Sequence, residues 1–190
     1  MQARVDPQFL LDTLAQVERL YDIDAAAGDR VLKELTAYLR AAIPSSGGSA
    51  STVSREIRLA NTFLNIVRLR SRDRLVLSTA GSIHGVARIP AMILLPLVRH
   101  ALAHRVERAQ DDECFEIDVA VRNDELLLTV RDRGSGFGPS GEADMEIRSI
   151  RERLAALFGA DAKLTLDGNA GGTQVLLQIP YEVVHEQAPA

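Results

Sequence analysis

The sequence predicts an α+β fold, with an N-terminal dimerising helical hairpin followed by a layer of sheet and helices. Three observations predict it. Apolar residues recur at helical spacing through residue 72. Beyond Arg74 the period becomes mixed, and Phe115, Ile117, Val119 and Val121 alternate with more polar neighbours. Glycine-rich stretches at 132–141 and 168–172 punctuate the second half. A helical period giving way to strand alternation describes helices packed beside an antiparallel or mixed sheet.

Each element has a local reason. Asp6-Pro7 supplies a capping carboxylate and a first-turn proline, and Leu10, Leu14, Val17 and Tyr21 then follow on one helix face. Val31, Leu35, Tyr38 and Ala42 repeat that rhythm in a second helix. The stretch 44–52 reads as a linker, because proline stops a helix and glycine and serine resist regular structure. A third helix is expected from Val53 to about Arg72, with Leu59, Phe63, Ile66 and Arg70 in line. Short strands are expected at 75–79 and 86–89, then a broadly apolar helix over 90–105. The alternating strand 115–122 turns at Asn123-Asp124 into Leu126, Leu128 and Val130. A helix over 142–158, with Ile147, Ile150, Leu154 and Leu157 on one face, precedes two closing strands at 162–166 and 173–180. A two-helix hairpin cannot cover apolar residues on both sides, so a symmetric dimer forming a four-helix bundle is expected.

Composition narrows the function. The chain has 190 residues, 46% hydrophobic and 25% charged, enough for a buried core. A net charge of -4 argues against nucleic acid as the partner. The single cysteine, Cys114, rules out an intramolecular disulfide framework and fits a reducing, cytoplasmic setting. No apolar run approaches a membrane span, so a membrane enters only through an upstream sensor segment.

Four segments, in order, resemble sensor histidine kinases of the LytS/AlgZ type. Asp6-Pro-Gln-Phe-Leu-Leu-Asp-Thr-Leu14 is similar to that family's Asn-Pro-His-Phe-Leu-Phe-Asn-x-Leu start. The run from Glu56 to Arg70, followed by Asp73-Arg-Leu75, resembles the helix between its dimerisation and ATPase parts. The stretch from Ile89 to His104 resembles its Pro-Leu-Val-Glu-Asn-Ala-x-x-His helix. Asp132-Arg-Gly-Ser-Gly136, Arg151-Glu-Arg-Leu154 and Gly171-Gly-Thr173 resemble the nucleotide-binding motifs of the GHKL ATPase fold, a Bergerat-type α/β sandwich. The resemblance implies a dimerisation region over 1–72, an ATPase-like domain over 73–185 and a tail at 186–190.

It also implies a chemistry, and the chain departs from it at three places. In the family a histidine of the first helix takes the γ-phosphate of ATP, and here that position is Gln8. An amide nitrogen has its lone pair delocalised and is no nucleophile, whereas neutral imidazole has a free one. His84, His100, His104 and His185 all lie outside the hairpin. His100 stands where the family asparagine offers an oxygen to Mg²⁺, and Arg99 replaces the glutamate before it. Mg²⁺ prefers oxygen ligands, and a guanidinium repels it while pairing with phosphate. Asp144 and Glu146 fall where the family has the glycines of its lid, which let backbone approach phosphate. On the adenine side, Asp132, Gly134, Gly136, Gly172 and Thr173 match the resemblance.

The expected function is a two-component signalling protein of histidine-kinase architecture with degenerate chemistry. It would act as a homodimer that docks a response regulator or an intact kinase, with ATP or ADP as a weak ligand and no Mg²⁺ site. Two rivals stand beside it: an active kinase or ATPase of the same fold acting on a separate protein, and an interaction module without nucleotide. Taken singly, Asp132 with its glycines is an ordinary turn, the arginine run 68–74 a solvated face, His104 a structural histidine and Cys114 a small packed residue.

Overall fold

A computed structural model of the chain describes residues 6–43, 50–70, 75–80, 87–103, 113–132, 141–169 and 172–183. Helices α1 (Pro7–Ile23) and α2 (Ala25–Ala42) form a hairpin joined by one residue, Asp24. Asp24 serves both ends: its backbone N–H closes α1 on the Leu20 carbonyl, and its carboxylate accepts the Ala27 N–H to cap α2. Gly28 is buried beneath the Tyr21 ring, where an added Cβ would lie 3.2 Å from ring carbons. The hairpin closes that tightly because position 28 carries no side chain.

The hairpin is not set apart from the rest. Rings of Phe9 (α1), Tyr38 (α2) and Phe63 on α3 (Val53–Arg70) cluster at centroid separations of 5.5, 4.9 and 6.3 Å. Asn65 on α3 donates to Glu34 on α2, and Arg55 donates to the Ile43 carbonyl. Leu35, Tyr38 and Ala42 thus join one continuous core with α3 and the sheet. Aromatic rings bury the largest areas available to the chain, and this cluster outweighs the loop as a determinant of how the parts sit. The expected boundary between residues 72 and 73 lies outside the described residues.

The stretch 44–52, read as loop, ends in a strand. β1 (Ala50–Thr52) pairs antiparallel with β3 (Arg88–Pro90), and Thr52 Oγ1 then accepts the Arg55 N–H at the start of α3. The strand expected at 86–89 is therefore β3, and it belongs to this small ribbon and not to the main sheet.

The main sheet has five strands in the order β2-β4-β5-β7-β6: β2 (Leu75–Ala80), β4 (Glu113–Arg122), β5 (Glu125–Asp132), β6 (Lys163–Asn169) and β7 (Gly172–Pro180). Among the described residues, only the β2–β4 pair is parallel. The β4–β5 turn is the predicted one, with Asn123 at φ 51° and Asp124 at φ 61°. Two adjacent residues at positive φ twist a hairpin in the sense of its strands, and Asn and Asp tolerate that region.

Helix α4 (Leu94–Ala103) lies across β5 and β7 and is flanked by α3 and α5 (Gly141–Phe158). It starts four residues later than its apolar run suggests. Pro90 ends β3, Met92 takes φ 57°, and the Glu56 carboxylate accepts the N–H groups of Met92, Ile93 and Leu94. Pro96 falls in the first turn, where a missing N–H costs nothing. The expected end of this helix beyond residue 103 lies outside the described residues. In α5, Ile147, Ile150 and Leu154 are buried, but Leu157, expected on the same face, is half exposed at the helix end. Gly159, at φ 57°, ends that helix.

Candidate functional site

The site is built by strand parity and helix rotation. Leu126, Leu128 and Val130 point inward along β5, so the same two-residue period turns Asp132 inward as well. Thr173, Val175, Leu177 and Ile179 do likewise along β7, and Asp132 and Thr173 are directly paired across the two strands. A carboxylate and a hydroxyl thus sit buried on the helix-facing side, 3% and 2% exposed, at one end of an otherwise apolar surface. Thr173 Oγ1 is buried and meets no hydrogen-bond partner among the described residues. Gly172, at φ 132°, begins β7 in a conformation that side-chain-bearing residues rarely adopt. Gly134 and Gly136 lie outside the described residues, as do His84, His104 and His185.

Helix α4 carries Arg99 and His100 in succession. Consecutive helical residues project about 100° apart, so they face different surroundings. His100 is buried against the sheet, 1% exposed. Arg99 leaves sideways: its Nη2 donates to Asp6 Oδ2 at 2.9 Å, and its Nη1 lies 3.5 Å from Glu146 Oε1 of α5. Neither an imidazole nor a guanidinium offers an oxygen to a hard cation, so the pair does not fit Mg²⁺. No cluster of three metal-ligating side chains occurs among the described residues.

Gln8 is exposed on the first turn of α1, and its Nε2 donates to Asp12 Oδ1 at 2.8 Å. Asp6, the N-cap two residues earlier, divides its carboxylate. Oδ1 caps α1 by accepting the N–H groups of Gln8 and Phe9, and Oδ2 holds Arg99. Tyr38, next to this pair, has its phenol pushed above its ordinary value, first by burial; the Arg99 charge opposes the shift and the Asp6 charge adds to it. The structure therefore brings Asp6, Arg99 and Glu146 together at the α1–α4–α5 edge, and Asp132 with Thr173 at the sheet end beneath α4. Asp144 lies in α5, whereas the Gln8 side chain, on Asp12, takes part in neither group.

Glu56 was legible only as part of a family-like segment, not as a functional anchor. It is 2% exposed and fixes the start of the helix that carries Arg99 and His100. A carboxylate inside an apolar helix face was the signal available in the sequence.

Comparison with known proteins agrees with this geometry. A family profile described as histidine kinase matches residues 1–75. The sensor protein LytS of Staphylococcus haemolyticus is 25% identical over 201 residues, covering 98% of this chain and 34% of that protein. LytS of Bacillus subtilis is 24% identical over 204 residues, with the same coverage of 98% and 34%. The chain thus spans about a third of the length of the curated relatives it matches. The histidine kinase domain of the Erythrobacter litoralis blue-light activated kinase EL346 superposes with a TM-score of 0.55 at 14% identity, over 91% of this chain and 84% of that one. Among the described residues no helix is long and apolar enough to cross a membrane. A mixed sheet backed by α4 and α5 and a packed N-terminal hairpin give the chain a GHKL-like α/β fold of the kind seen in histidine kinase domains, and its sequence is similar to sensor protein LytS along nearly its whole length.

Proposed function

We propose that this chain is the dimerisation and nucleotide-binding core of a two-component signalling protein that has lost phosphotransfer. It acts in the cytoplasm as a homodimer and docks a response regulator or an intact kinase. The observation that carries this reading is Gln8: the position that needs a nucleophile holds an exposed amide engaged with Asp12. The replacement of oxygen-donating residues by Arg99 and His100 supports it from the other side of the reaction. Phosphoryl transfer depends on positioning and neutralisation of phosphate charge, and both are rewritten here.

ATP or ADP enters through the adenine side, as a ligand that biases conformation. The buried pair Asp132 and Thr173, with a hydroxyl available in an apolar setting, supports an adenine-edge contact. Dimerisation is supported by apolar side chains left in solvent on the hairpin: Leu11 is 62% exposed, Leu14 48% and Ile43 64%. Leu32 and Leu39 lie seven residues apart on one line of α2, as an interhelical seam requires, and Ile43 follows at its C-terminal cap.

Incubation with γ-labelled ATP and Mg²⁺ is expected to leave no acid-labile label on the chain, and no transfer to an added response regulator. Label on either protein overturns the reading.

A further inference from the structure

We infer that Arg99 is an anion-binding site that the chain fills with its own carboxylates, latching the start of α1 onto the α4–α5 edge, and that a polyphosphate is the class of ligand that displaces them. The inference rests on the reading of Arg99 given above only for the choice of anion. Its substance is the geometry of three charged groups. The guanidinium presents two nitrogens in a planar fork, and Asp6 and Glu146 each take one, at 2.9 and 3.5 Å. That fork accepts carboxylate and phosphate oxygens alike.

The parts differ in how firmly they are held. Glu56 pins the start of α4 through three backbone bonds, and Arg153 of α5 donates to the Ala91 carbonyl at 2.7 Å, so the Arg99 and Glu146 supports are tied to each other. Asp6 stands on the first turn of α1, held there by its own capping bonds. Breaking the latch therefore loosens the cap of α1, ahead of the Phe9 ring that Tyr38 and Phe63 hold, and not the α4–α5 pair. The three side chains are 32, 27 and 37% exposed, which leaves them reachable by a soluble anion.

Asp6, Arg99 and Glu146 occupy positions where the resemblance has asparagine, glutamate and glycine, and the charges that replace them are complementary. One positive charge between two negative ones leaves the cluster net negative, so a polyanion has to displace both carboxylates to reach Arg99 and binds more weakly than it would to the guanidinium alone.

Titration with inorganic tripolyphosphate tests the site. The variant Asp6→Asn/Glu146→Gln removes both charges and keeps size, and asparagine keeps the α1 cap. It is expected to bind tripolyphosphate about tenfold more tightly than the unmodified chain, since charge-assisted bonds carry energies of that order. Adding Arg99→Gln is expected to abolish the gain. Without any anion, Arg99→Gln is expected to speed amide exchange at Leu10 and Leu11 severalfold, and Asp6→Asn to do the same without adding to it. Equal affinity in the two chains, a gain that survives Arg99→Gln, or unchanged exchange in Arg99→Gln overturns the inference. Labelled-ATP transfer is decided separately, so the two readings fail independently.

Discussion

The buried carboxylate of Glu56 on α3 accepts the backbone N–H of Ile93, 37 residues on, at 3.1 Å, and so ties α3 to the start of α4. The same side chain takes the N–H groups of Met92 and Leu94, which would otherwise be orphaned at the start of a buried helix. Replacing Glu56 by alanine leaves three buried donors unmatched. The expected loss is about 3 kcal/mol or more by urea denaturation. Glu56→Gln retains one acceptor oxygen and is expected to lose less.

The aromatic cluster makes the hairpin part of the core. Phe63 is 7% exposed and touches rings from both hairpin helices. Phe63→Ala is expected to destabilise the chain by about 3–5 kcal/mol. Thermal unfolding followed by near-ultraviolet tyrosine signal is expected to show Tyr38 released in the same transition as the helices.

Tyr38 gives the fold a defined response to alkali. Its phenol is raised above the ordinary 10.0, chiefly by burial. The folded state therefore holds its proton more tightly than the unfolded chain does. The resulting stability is complete below pH 10 and declines as pH rises from the unfolded value through the folded one. Tyr38→Phe is expected to flatten the decline above pH 10 in denaturant midpoints, leaving the neutral region less affected.

Restoring the nucleophile alone is not expected to restore chemistry. Gln8→His supplies an imidazole at an exposed position, but Arg99 and His100 still replace oxygen donors. Labelling with γ-labelled ATP is expected to stay at background in Gln8→His.

Exposed leucines on the hairpin predict the oligomer. Leu11→Glu combined with Leu39→Glu places charges in the proposed seam at positions 62% and 37% exposed in the single chain. Sedimentation is expected to shift from dimer to monomer while the far-ultraviolet spectrum is retained. Buried charge without a partner is what opposes association.

Much of the fold was legible because it rests on local periodicity. The helical rhythm of Val31, Leu35, Tyr38 and Ala42, the alternation along β4, and the Asn123-Asp124 turn are set by neighbours in sequence, and the structure has them. The capping role of Asp6 was equally local. What could not be read was pairing at a distance. Residues 50–52 look like linker by composition and become a strand because β3 lies beside them. The start of α4 moved because a carboxylate on α3 reached it.

The sequence by itself determined the chemistry of single side chains: Gln8 is an amide and no nucleophile, and Arg99 and His100 offer no oxygen to a hard cation. Tertiary structure alone decided what those residues do instead. Arg99 meets Asp6 and Glu146 because α1, α4 and α5 converge there, and Asp132 meets Thr173 because β5 and β7 pair in that register. Charge and nucleophilicity belong to single side chains, whereas a partner is fixed only when packing brings together segments that the chain keeps far apart.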